Sequence, residues 1–242
     1  MSFGLTNAPS TFQATMNQLF ASFLRKFVIV FFDDILEYSA SLADHVYHLE
    51  QVMSFLYTSQ FYVKLSKCLF CQESIDYLGH IMSARGVQVD PQKIVAMVDW
   101  PLPKSVKQLR GFLGLTRYYR RFIQGYATIA APLTKLLCKE AFNWNPAATQ
   151  AFQALKNALV EAPVLHLPNF ALEFVIETDA SNVGIDVVLM QAGHPLSYFI
   201  KKLGPRMLAS STYLKELYAI VAAVKKWRQY LLGRFFSYTH RP

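Results

Sequence analysis

The sequence predicts an α+β protein, and three observations support this class. Hydrophobic residues make up 53% of the 242 residues and charged residues 17%, so the chain can bury a core and is not disordered. Runs of strand length that are rich in β-branched and aromatic residues stand between segments whose apolar residues recur at helical spacing. The chain also lacks the internal repeats of a solenoid and the biased composition of a long linker.

The first part of the chain, residues 1–88, is expected to form one α+β unit. Ser10 can serve as the N-cap of its first helix. An apolar run is interrupted by Asp33 and Asp34 and then resumes, which predicts a hairpin with an acidic tip. The predicted elements are a helix at 10–24, hairpin strands at 27–32 and 35–38, a helix at 41–58, and short strands at 61–65, 68–71 and 75–82.

The middle part, residues 89–165, is expected to be helical. Asp90-Pro91 begins one helix, and Ser105 can cap a longer one. The stretch 101–140 is strongly basic, and Glu140 is its one acidic residue. The predicted helices are 91–99, 105–123 and 147–160.

The last part, residues 166–242, is expected to contain three strands, a helix and a further strand. Many α/β sheets open in this order, so the order alone does not identify the domain. The predicted elements are strands at 173–178, 184–190 and 195–200, a helix at 211–231 and a strand at 234–239.

The charge indicates an acidic partner. The net charge is +8 and the isoelectric point about 9.3, which suggests a partner such as nucleic acid or a membrane surface, although a solvated basic surface explains the charge equally well. The longest uncharged stretch, residues 1–24, is too polar to span a membrane. Three cysteines and no secretory signal favour an intracellular protein, cytoplasmic or nuclear.

Two pairs of carboxylates are candidates for metal chemistry. Asp33 and Asp34 follow an apolar strand, where divalent cations can neutralise adjacent carboxylates and bridge them to phosphate oxygens. Asp179 follows a later strand, and Glu216 lies one turn into a helix that should pack on the same sheet. In the alternative reading, the aspartates serve their turns through local hydrogen bonds and Glu216 lies on a solvated helix face.

The basic helix at 105–123 is a candidate nucleic-acid surface. Lys107, Arg110, Arg117 and Arg121 fall along one side at helical spacing. Two tyrosines stand among them, which can stack against a sugar-phosphate backbone or pack in the core.

Longer motifs run along the chain in order: Phe3-Gly4-Leu5-Thr6-Asn7-Ala8-Pro9 with Phe12-Gln13, Phe31-Phe32-Asp33-Asp34, Ser66-Lys67-Cys68, Tyr77-Leu78-Gly79-His80, Trp100-Pro101, Leu109-Arg110-Gly111-Phe112-Leu113-Gly114-Leu115, Tyr118-Tyr119-Arg120-Arg121-Phe122, Thr178-Asp179-Ala180-Ser181, Lys215-Glu216-Leu217 and Lys226-Trp227-Arg228. Together they resemble the pol polyprotein of long-terminal-repeat retrotransposons of the gypsy class, over essentially the whole chain.

The resemblance implies an α+β chain of three parts: the C-terminal part of a reverse-transcriptase palm (1–88), a helical thumb and connection (89–165), and the start of a ribonuclease H-like α/β domain (166–242). It implies RNA-directed DNA polymerase and ribonuclease H activities. The implied partners are an RNA–DNA hybrid or DNA duplex, deoxynucleotides and the rest of the polyprotein, with no membrane.

The resemblance also assigns roles to individual residues. The catalytic residues, which would hold Mg²⁺ with two ions per site, are Asp33, Asp34, Asp179 and Glu216. The residues that would bind the incoming nucleotide are Phe3, Gly4, Phe31 and Lys67. The residues that would bind nucleic acid are Tyr77, Gly79, Lys107, Arg110, Arg117 and Arg121.

The chain departs from the family pattern near both metal sites. The family's polymerase uses a third aspartate from a strand before the Phe-Gly-Leu segment, and the family reads Thr-Asp-His where this chain has Thr239-His240. Phe31 replaces a usual Tyr, and Asp186 a usual Gly. We therefore expect these 242 residues alone to be inactive, an expectation that Mg²⁺-dependent primer extension would contradict. The alternative is a non-catalytic nucleic-acid-binding relic or a domesticated interaction protein.

Overall fold

The computed structural model describes residues 7–138, 142–180 and 184–240. The chain divides into two compact units, Met1–Glu73 and Ser74–Pro242, which we call unit 1 and unit 2. The mixture of helices and strands confirms the predicted α+β class. The three predicted domain ranges stay a prediction. In the described part of the chain, no helix is long and apolar enough to cross a membrane.

Unit 1 packs two helices against a hairpin. Its elements are α1 (Ala8–Leu19), β1 (Val28–Phe31), β2 (Asp34–Glu37), α2 (Leu42–Thr58) and a 3₁₀ turn (Leu65–Lys67). Met16 and Phe20 pack with Val28 of β1 and with Leu56 of α2 in the core. The side chain of Ser41 caps α2, as expected from a serine before an amphipathic run.

Three details of unit 1 differ from the sequence prediction. Helix α1 ends at Leu19, whereas the predicted helix extends to residue 24. Helix α1 begins at Ala8 rather than after Ser10, because Pro9 suits the first turn, where its missing N–H costs no hydrogen bond. The strands predicted at 61–65 and 68–71 are wrong: this stretch is irregular apart from the 3₁₀ turn. Tyr62 is fully exposed there, and neither 61–65 nor 68–71 pairs with a strand in the described part of the chain.

Unit 2 opens with a three-stranded antiparallel sheet in the order β3-β4-β5, formed by β3 (Ser74–Tyr77), β4 (His80–Ser83) and β5 (Gly86–Val89). The strand predicted at 75–82 is thus a tight hairpin. The chain reverses at Leu78 and Gly79, whose φ angles of 53° and 70° both lie in the left-handed region. That combination is typical of a two-residue hairpin turn.

Four helices follow in the described residues: α3 (Pro91–Val98), α4 (Val106–Tyr118), α5 (Tyr126–Lys135) and α6 (Pro146–Val160). Ser105 caps α4 as predicted. The helix predicted to reach residue 123 ends instead at Tyr118 and continues as a 3₁₀ turn, Arg120–Phe122. Leu109, Phe112 and Leu155 are buried where the helices meet.

The two ends of this helical region meet. Val87 in β5 and Leu165 exchange backbone hydrogen bonds of 2.8 and 2.9 Å. Their close approach requires glycine at position 86, because a Cβ there would lie 2.2 Å from the carbonyl oxygen of Leu165. The segments that enter and leave the helical region are therefore joined by backbone hydrogen bonds.

The rest of unit 2 is a four-stranded sheet in the order β8-β7-β6-β9 within the described residues. Its elements are β6 (Phe174–Ala180), β7 (Gly184–Gln191), β8 (His194–Lys202), α7 (Pro205–Leu208), α8 (Thr212–Lys226), α9 (Arg228–Leu231) and β9 (Phe236–His240). Strand β9 is parallel to β6, and the other pairs are antiparallel. Helix α8 packs Ala219 and Ala223 on Ile176 and Val187. The predicted helix 211–231 breaks at Trp227 into α8 and α9.

Candidate carboxylate and nucleic-acid sites

The acidic turn lies at the tip of the β1–β2 hairpin, as predicted. Phe31 pairs with Asp34, so Phe32 and Asp33 form the turn. Both aspartates are exposed, and no described residue hydrogen-bonds or ion-pairs with either carboxylate. Four oxygen atoms of two acidic side chains therefore remain available at the tip.

Gln13 of α1 holds this turn, a contact that the sequence pattern did not reveal. Its side-chain oxygen accepts a 2.6 Å hydrogen bond from the backbone N–H of Phe32. Its amide nitrogen donates to the carbonyl of Val30 at 3.3 Å and to Asn17 at 2.9 Å. Because Phe32 has a φ of 50°, which costs a non-glycine residue about 1 kcal/mol or more, the bond stabilises a strained residue beside the carboxylates.

The other end of β2 is held by a buried acidic side chain. Glu37 accepts from Ser39 at 2.7 Å and lies 3.0 Å from Nδ1 of His45 on α2. Ser39 is also 2.8 Å from Nδ1 of His48, whose ring stacks on Phe27. These contacts fasten the hairpin to α2.

Two of the four predicted nucleotide-binding residues lie on separate elements of unit 1, and the other two lie outside the described residues. Phe31 is 45% exposed and packs edge-on against Phe32. Lys67 is exposed in the 3₁₀ turn. Phe3 and Gly4 lie outside the described residues. The shared nucleotide site therefore stays a prediction.

The β3–β4 turn in unit 2 is held by two tyrosines. The hydroxyl of Tyr118 donates to the carbonyl of Leu78 at 2.7 Å, and that of Tyr119 donates to the carbonyl of Gly79 at 3.0 Å. Burial raises the pKa of Tyr119 to about 12, which keeps its hydroxyl a donor. Tyr77 precedes this turn, half-buried.

His80, the first residue of β4, also contacts the residues that hold the β3–β4 turn. Arg121 donates from Nη2 to His80 Nε2, which assigns the ring proton to Nδ1, since arginine can only donate. The ring also stacks on Tyr118, with centroids 5.3 Å apart. Burial, and secondarily the nearby charge of Arg121, lowers the pKa of His80 to about 4. Arg121, predicted to contact nucleic acid, thus has a partner within the protein.

The other three basic residues predicted on α4 share an exposed face. Lys107, Arg110 and Arg117 are exposed, and no described carboxylate pairs with them. Gly114 lies between them, and a Cβ added there would meet no atom within 4 Å. This open side of α4, which we call the basic face, is defined by these four residues.

The candidate hydrolytic carboxylates lie near one end of β6. Glu216 of α8 is 3.6 Å from His240 Nε2, and His240 pairs with Thr178 beside Asp179. Asp179 is exposed and pairs with Asp186, so these two share a sheet face, opposite the face that α8 covers. Asp186 accepts a 2.8 Å hydrogen bond from the N–H of Gly125, just before α5. A shared metal for Asp179 and Glu216 stays a prediction.

No group of three or more metal-ligating side chains occurs among the described residues. Asp33 adjoins Asp34 in sequence, and Asp179 adjoins Asp186 across the β6–β7 pair.

Two family models match the sequence. "Reverse transcriptase (RNA-dependent DNA polymerase)" matches residues 1–82, and "RNase H-like domain found in reverse transcriptase" matches residues 144–238. Both families generally use divalent metals.

Curated relatives match nearly the whole chain. The retrovirus-related Pol polyprotein from transposon 297 of Drosophila melanogaster is 42% identical over 100% of the chain and 23% of its own length. The Pol polyprotein from transposon gypsy of the same species is 36% identical over 96% of the chain and 24% of its own length. The transposon Tf2-3 polyprotein of Schizosaccharomyces pombe is 34% identical over 96% of the chain and 18% of its own length. The chain spans about a quarter or less of these relatives.

Solved structures share the fold. The foamy viral protease-reverse transcriptase in complex with RNA/DNA hybrid has a TM-score of 0.85 at 21% identity, covering 99% of this chain and 33% of that one. The same kind of protein in complex with dsDNA has a TM-score of 0.83 at 21% identity, covering 99% of this chain and 51% of that one.

Proposed function

Because this chain belongs to the reverse transcriptase and ribonuclease H region of long-terminal-repeat retrotransposon Pol polyproteins, we propose that it holds a nucleic-acid duplex on the basic face of α4. The observation that carries the proposal is the exposure of Lys107, Arg110 and Arg117 along one side of α4. The foamy viral structures were determined with RNA/DNA hybrid and dsDNA, which supports a duplex as the partner.

The dimensions of the basic face suit a phosphate backbone. From Lys107 to Arg117 the helix axis advances about 15 Å, which spans about four nucleotides of one strand. Gly114 leaves room in the middle of the face, so a backbone can approach the helix closely. Contacts to phosphates position a duplex without reading its sequence, which suits an enzyme that copies any template.

The second part of the proposal is that Asp33 and Asp34 hold Mg²⁺ for RNA-directed DNA synthesis. Carboxylate oxygens are the ligands that this hard cation prefers, and those of the acidic turn have no described protein partner. When bound, the metal would neutralise charge on the reacting phosphates. The protein's part is to keep both carboxylates at the hairpin tip, which the hydrogen bond from Phe32 to Gln13 supports.

The remaining assignments extend the same proposal. Asp179 and Glu216 would hold Mg²⁺ for cleavage of RNA in an RNA–DNA hybrid, in keeping with the ribonuclease H-like match over 144–238. The proposed deoxynucleotide contacts are Phe3, Gly4, Phe31 and Lys67, and the proposed contacts to nucleic acid outside the basic face are Tyr77, Gly79 and Arg121. Other parts of the polyprotein are the proposed protein partner.

The duplex proposal is tested by measuring binding of the purified chain to a 20-base-pair RNA–DNA hybrid across a salt series. We expect affinity to fall steeply with salt, because phosphate contacts release counterions. The triple variant K107Q/R110Q/R117Q should reduce the log–log slope by about 2 to 3.

The matched control neutralises three exposed basic residues of unit 2 that lie off α4: Arg85→Gln, Lys93→Gln and Lys225→Gln. If both triple variants change the slope equally, net charge rather than the basic face binds the duplex. Binding that does not depend on salt would also overturn the proposal.

The metal proposal is tested with Mn²⁺ as a paramagnetic substitute for Mg²⁺. We expect selective broadening of backbone NMR signals from residues 31–36, abolished by D33N/D34N and kept in the control Asp44→Asn, which lies in the first turn of α2. Broadening that persists in the double variant would show that the cation binds elsewhere.

A further inference from the structure

Unit 2 contains a cavity of about 410 Å³ that neither the basic face nor the candidate carboxylates line. It lies between the 3₁₀ turn Arg120–Phe122, strand β8 and the junction of α8 with α9. Its volume falls within the range of small-molecule sites, about 300 to 1,000 Å³. We propose that this cavity binds a nucleoside phosphate, with the phosphate on Arg120 and Lys226 and the base against the aromatic wall.

The charge of the lining favours an anion. Arg120, Arg121 and Lys226 contribute to it, and no carboxylate stands among the described lining residues. Arg121 already donates to His80. Arg120 and Lys226 are exposed and make no side-chain hydrogen bond or ion pair in the described part of the chain, so their donors are available. Two cations at the mouth of a cavity match a phosphate monoester.

The aromatic lining favours a flat ring. Tyr118 is 51% exposed, and one face of its ring already stacks on His80 in a nearly parallel orientation. Tyr119 also contacts the Tyr118 ring, at nearly a right angle with centroids 5.0 Å apart, and the exposed part of the Tyr118 ring lines the cavity. Trp227 and Tyr230 also line the cavity. Stacking on such side chains is the usual way in which proteins bind an unpaired base, at about 1 to 3 kcal/mol per base.

Strand β8 supplies the polar groups that a base needs. It is an edge strand of the described sheet and pairs with β7 on one side. Residues 197–200 of β8 line the cavity. In an antiparallel edge strand, alternate residues direct both their N–H and their C=O away from the neighbouring strand. A base can hydrogen-bond to such an edge.

The test measures binding of adenosine 5′-monophosphate to the purified chain by calorimetry, with adenosine and inorganic phosphate as partial ligands. We expect the nucleotide to bind at least 10-fold more tightly than either part, because each part uses one half of the site. If phosphate alone binds as tightly as the nucleotide, the aromatic side chains do not bind the base. If adenosine alone binds as tightly as the nucleotide, Arg120 and Lys226 do not bind the phosphate.

Variants locate the site. R120Q/K226Q should weaken nucleotide binding at least 10-fold, whereas the matched pair K225Q/R228Q, neighbours on α8 and α9 that do not line the cavity, should change it less than 2-fold. Equal effects of the two pairs would overturn the proposal. Tryptophan fluorescence during urea unfolding confirms that both variants are folded.

The last measurement separates two sources of the ligand and separates this site from the basic face. A hybrid with an unpaired 3′ overhang is compared with a blunt hybrid. If the overhang strengthens binding of the hybrid, and this gain is lost on adding the nucleotide and in R120Q/K226Q, the ligand is the end of a strand. If the nucleotide binds but the overhang has no effect, the ligand is a free nucleotide. K107Q/R110Q/R117Q should weaken blunt duplex binding and leave nucleotide binding unchanged, so each proposal can fail alone.

Discussion

The acidic turn of unit 1 and the β3–β4 turn of unit 2 both hold a bulky residue at positive φ, but by different contacts. Each reverses the chain in two residues, and each places a bulky side chain at positive φ, Phe32 at 50° and Leu78 at 53°. The acidic turn is held through one amide side chain, Gln13, and its carboxylates stay exposed. The β3–β4 turn is held by the exposed Tyr118, the buried Tyr119 and the buried His80.

This difference follows from what the turns carry. Ionised carboxylates are costly to bury without a partner, so Asp33 and Asp34 stay exposed and Gln13 holds the acidic turn through its backbone. The β3–β4 turn presents no charge and can be buried. Its conformation therefore depends on packing and on the protonation of its neighbours, and its stability should respond more strongly to substitution and to pH.

The largest expected effect concerns His80. Its pKa is lowered to about 4 in the folded chain, against an ordinary value of about 6.5. The neutral ring therefore contributes stability that is fully present above pH 6.5 and is lost as the pH falls toward 4, about 3 kcal/mol in total. Urea unfolding at pH 7 and pH 4.5, followed by tryptophan fluorescence, measures this loss in unit 2, which contains all three tryptophans of the chain.

His80→Phe provides the control for that measurement, because phenylalanine can stack on Tyr118 but does not titrate. Its unfolding free energy should vary less with pH than that of the native chain. Identical pH profiles for the two proteins would assign the acid sensitivity to other groups.

The next effect separates turn conformation from turn packing. Gly79→Ala places a Cβ 3.0 Å from the hydroxyl of Tyr119 at a φ of 70° and should destabilise unit 2 by about 2 kcal/mol. Gly193→Ala is the matched control: it lies in the β7–β8 turn at a φ of 78° with no atom within 4 Å, and should cost about 1 kcal/mol. Equal losses in urea unfolding would mean that the Tyr119 contact contributes nothing.

A smaller and local effect is expected in the acidic turn. Gln13→Ala leaves the N–H of Phe32 without its acceptor, which should lower the free energy of local opening by about 1 kcal/mol. Hydrogen exchange of the Phe32 amide measures this change directly. Gln18→Ala, at an exposed position on the same helix, should leave the exchange rate unaltered; an equal acceleration would indicate general fraying of α1.

The smallest effect concerns an exposed hydrogen bond of the β3–β4 turn. Tyr118→Phe removes the donor to the carbonyl of Leu78, which water can replace, so we expect a loss of about 0.5 kcal/mol. Tyr119→Phe removes the buried equivalent to Gly79 and should cost more. The reverse order in urea unfolding would contradict the view that enclosure determines the stability of this turn.

The sequence predicted the elements whose determinants are local. Helices α2 and α4 begin after Ser41 and Ser105, and both serines cap their helices in the structure. Helix α5 was missed because it begins after Gly125, which has a φ of 66° and no side chain to cap the helix, and contains Pro132. Its N-terminus is instead met by Asp186, which is distant in sequence.

The candidate sites show the same limit. The Asp33-Asp34 pair was visible because both carboxylates are adjacent in sequence. The contacts that hold the two turns were not, since Gln13 lies 19 residues before Phe32 and His80 lies 41 residues before Arg121. A lone glutamine on an amphipathic helix carries no pattern that distinguishes a brace from a solvated side chain.

The paired hydrogen bonds of Val87 and Leu165 have a consequence for how this region can be rearranged. A segment whose entry and exit adjoin can be cut out, grafted or circularly permuted without stretching its host. The helices from α3 to α6 have this geometry, because glycine at position 86 lets the backbone of Leu165 approach β5 closely. Transfer of this one segment between two related chains would therefore replace the basic face of α4 and keep the β3-β4-β5 and β8-β7-β6-β9 sheets.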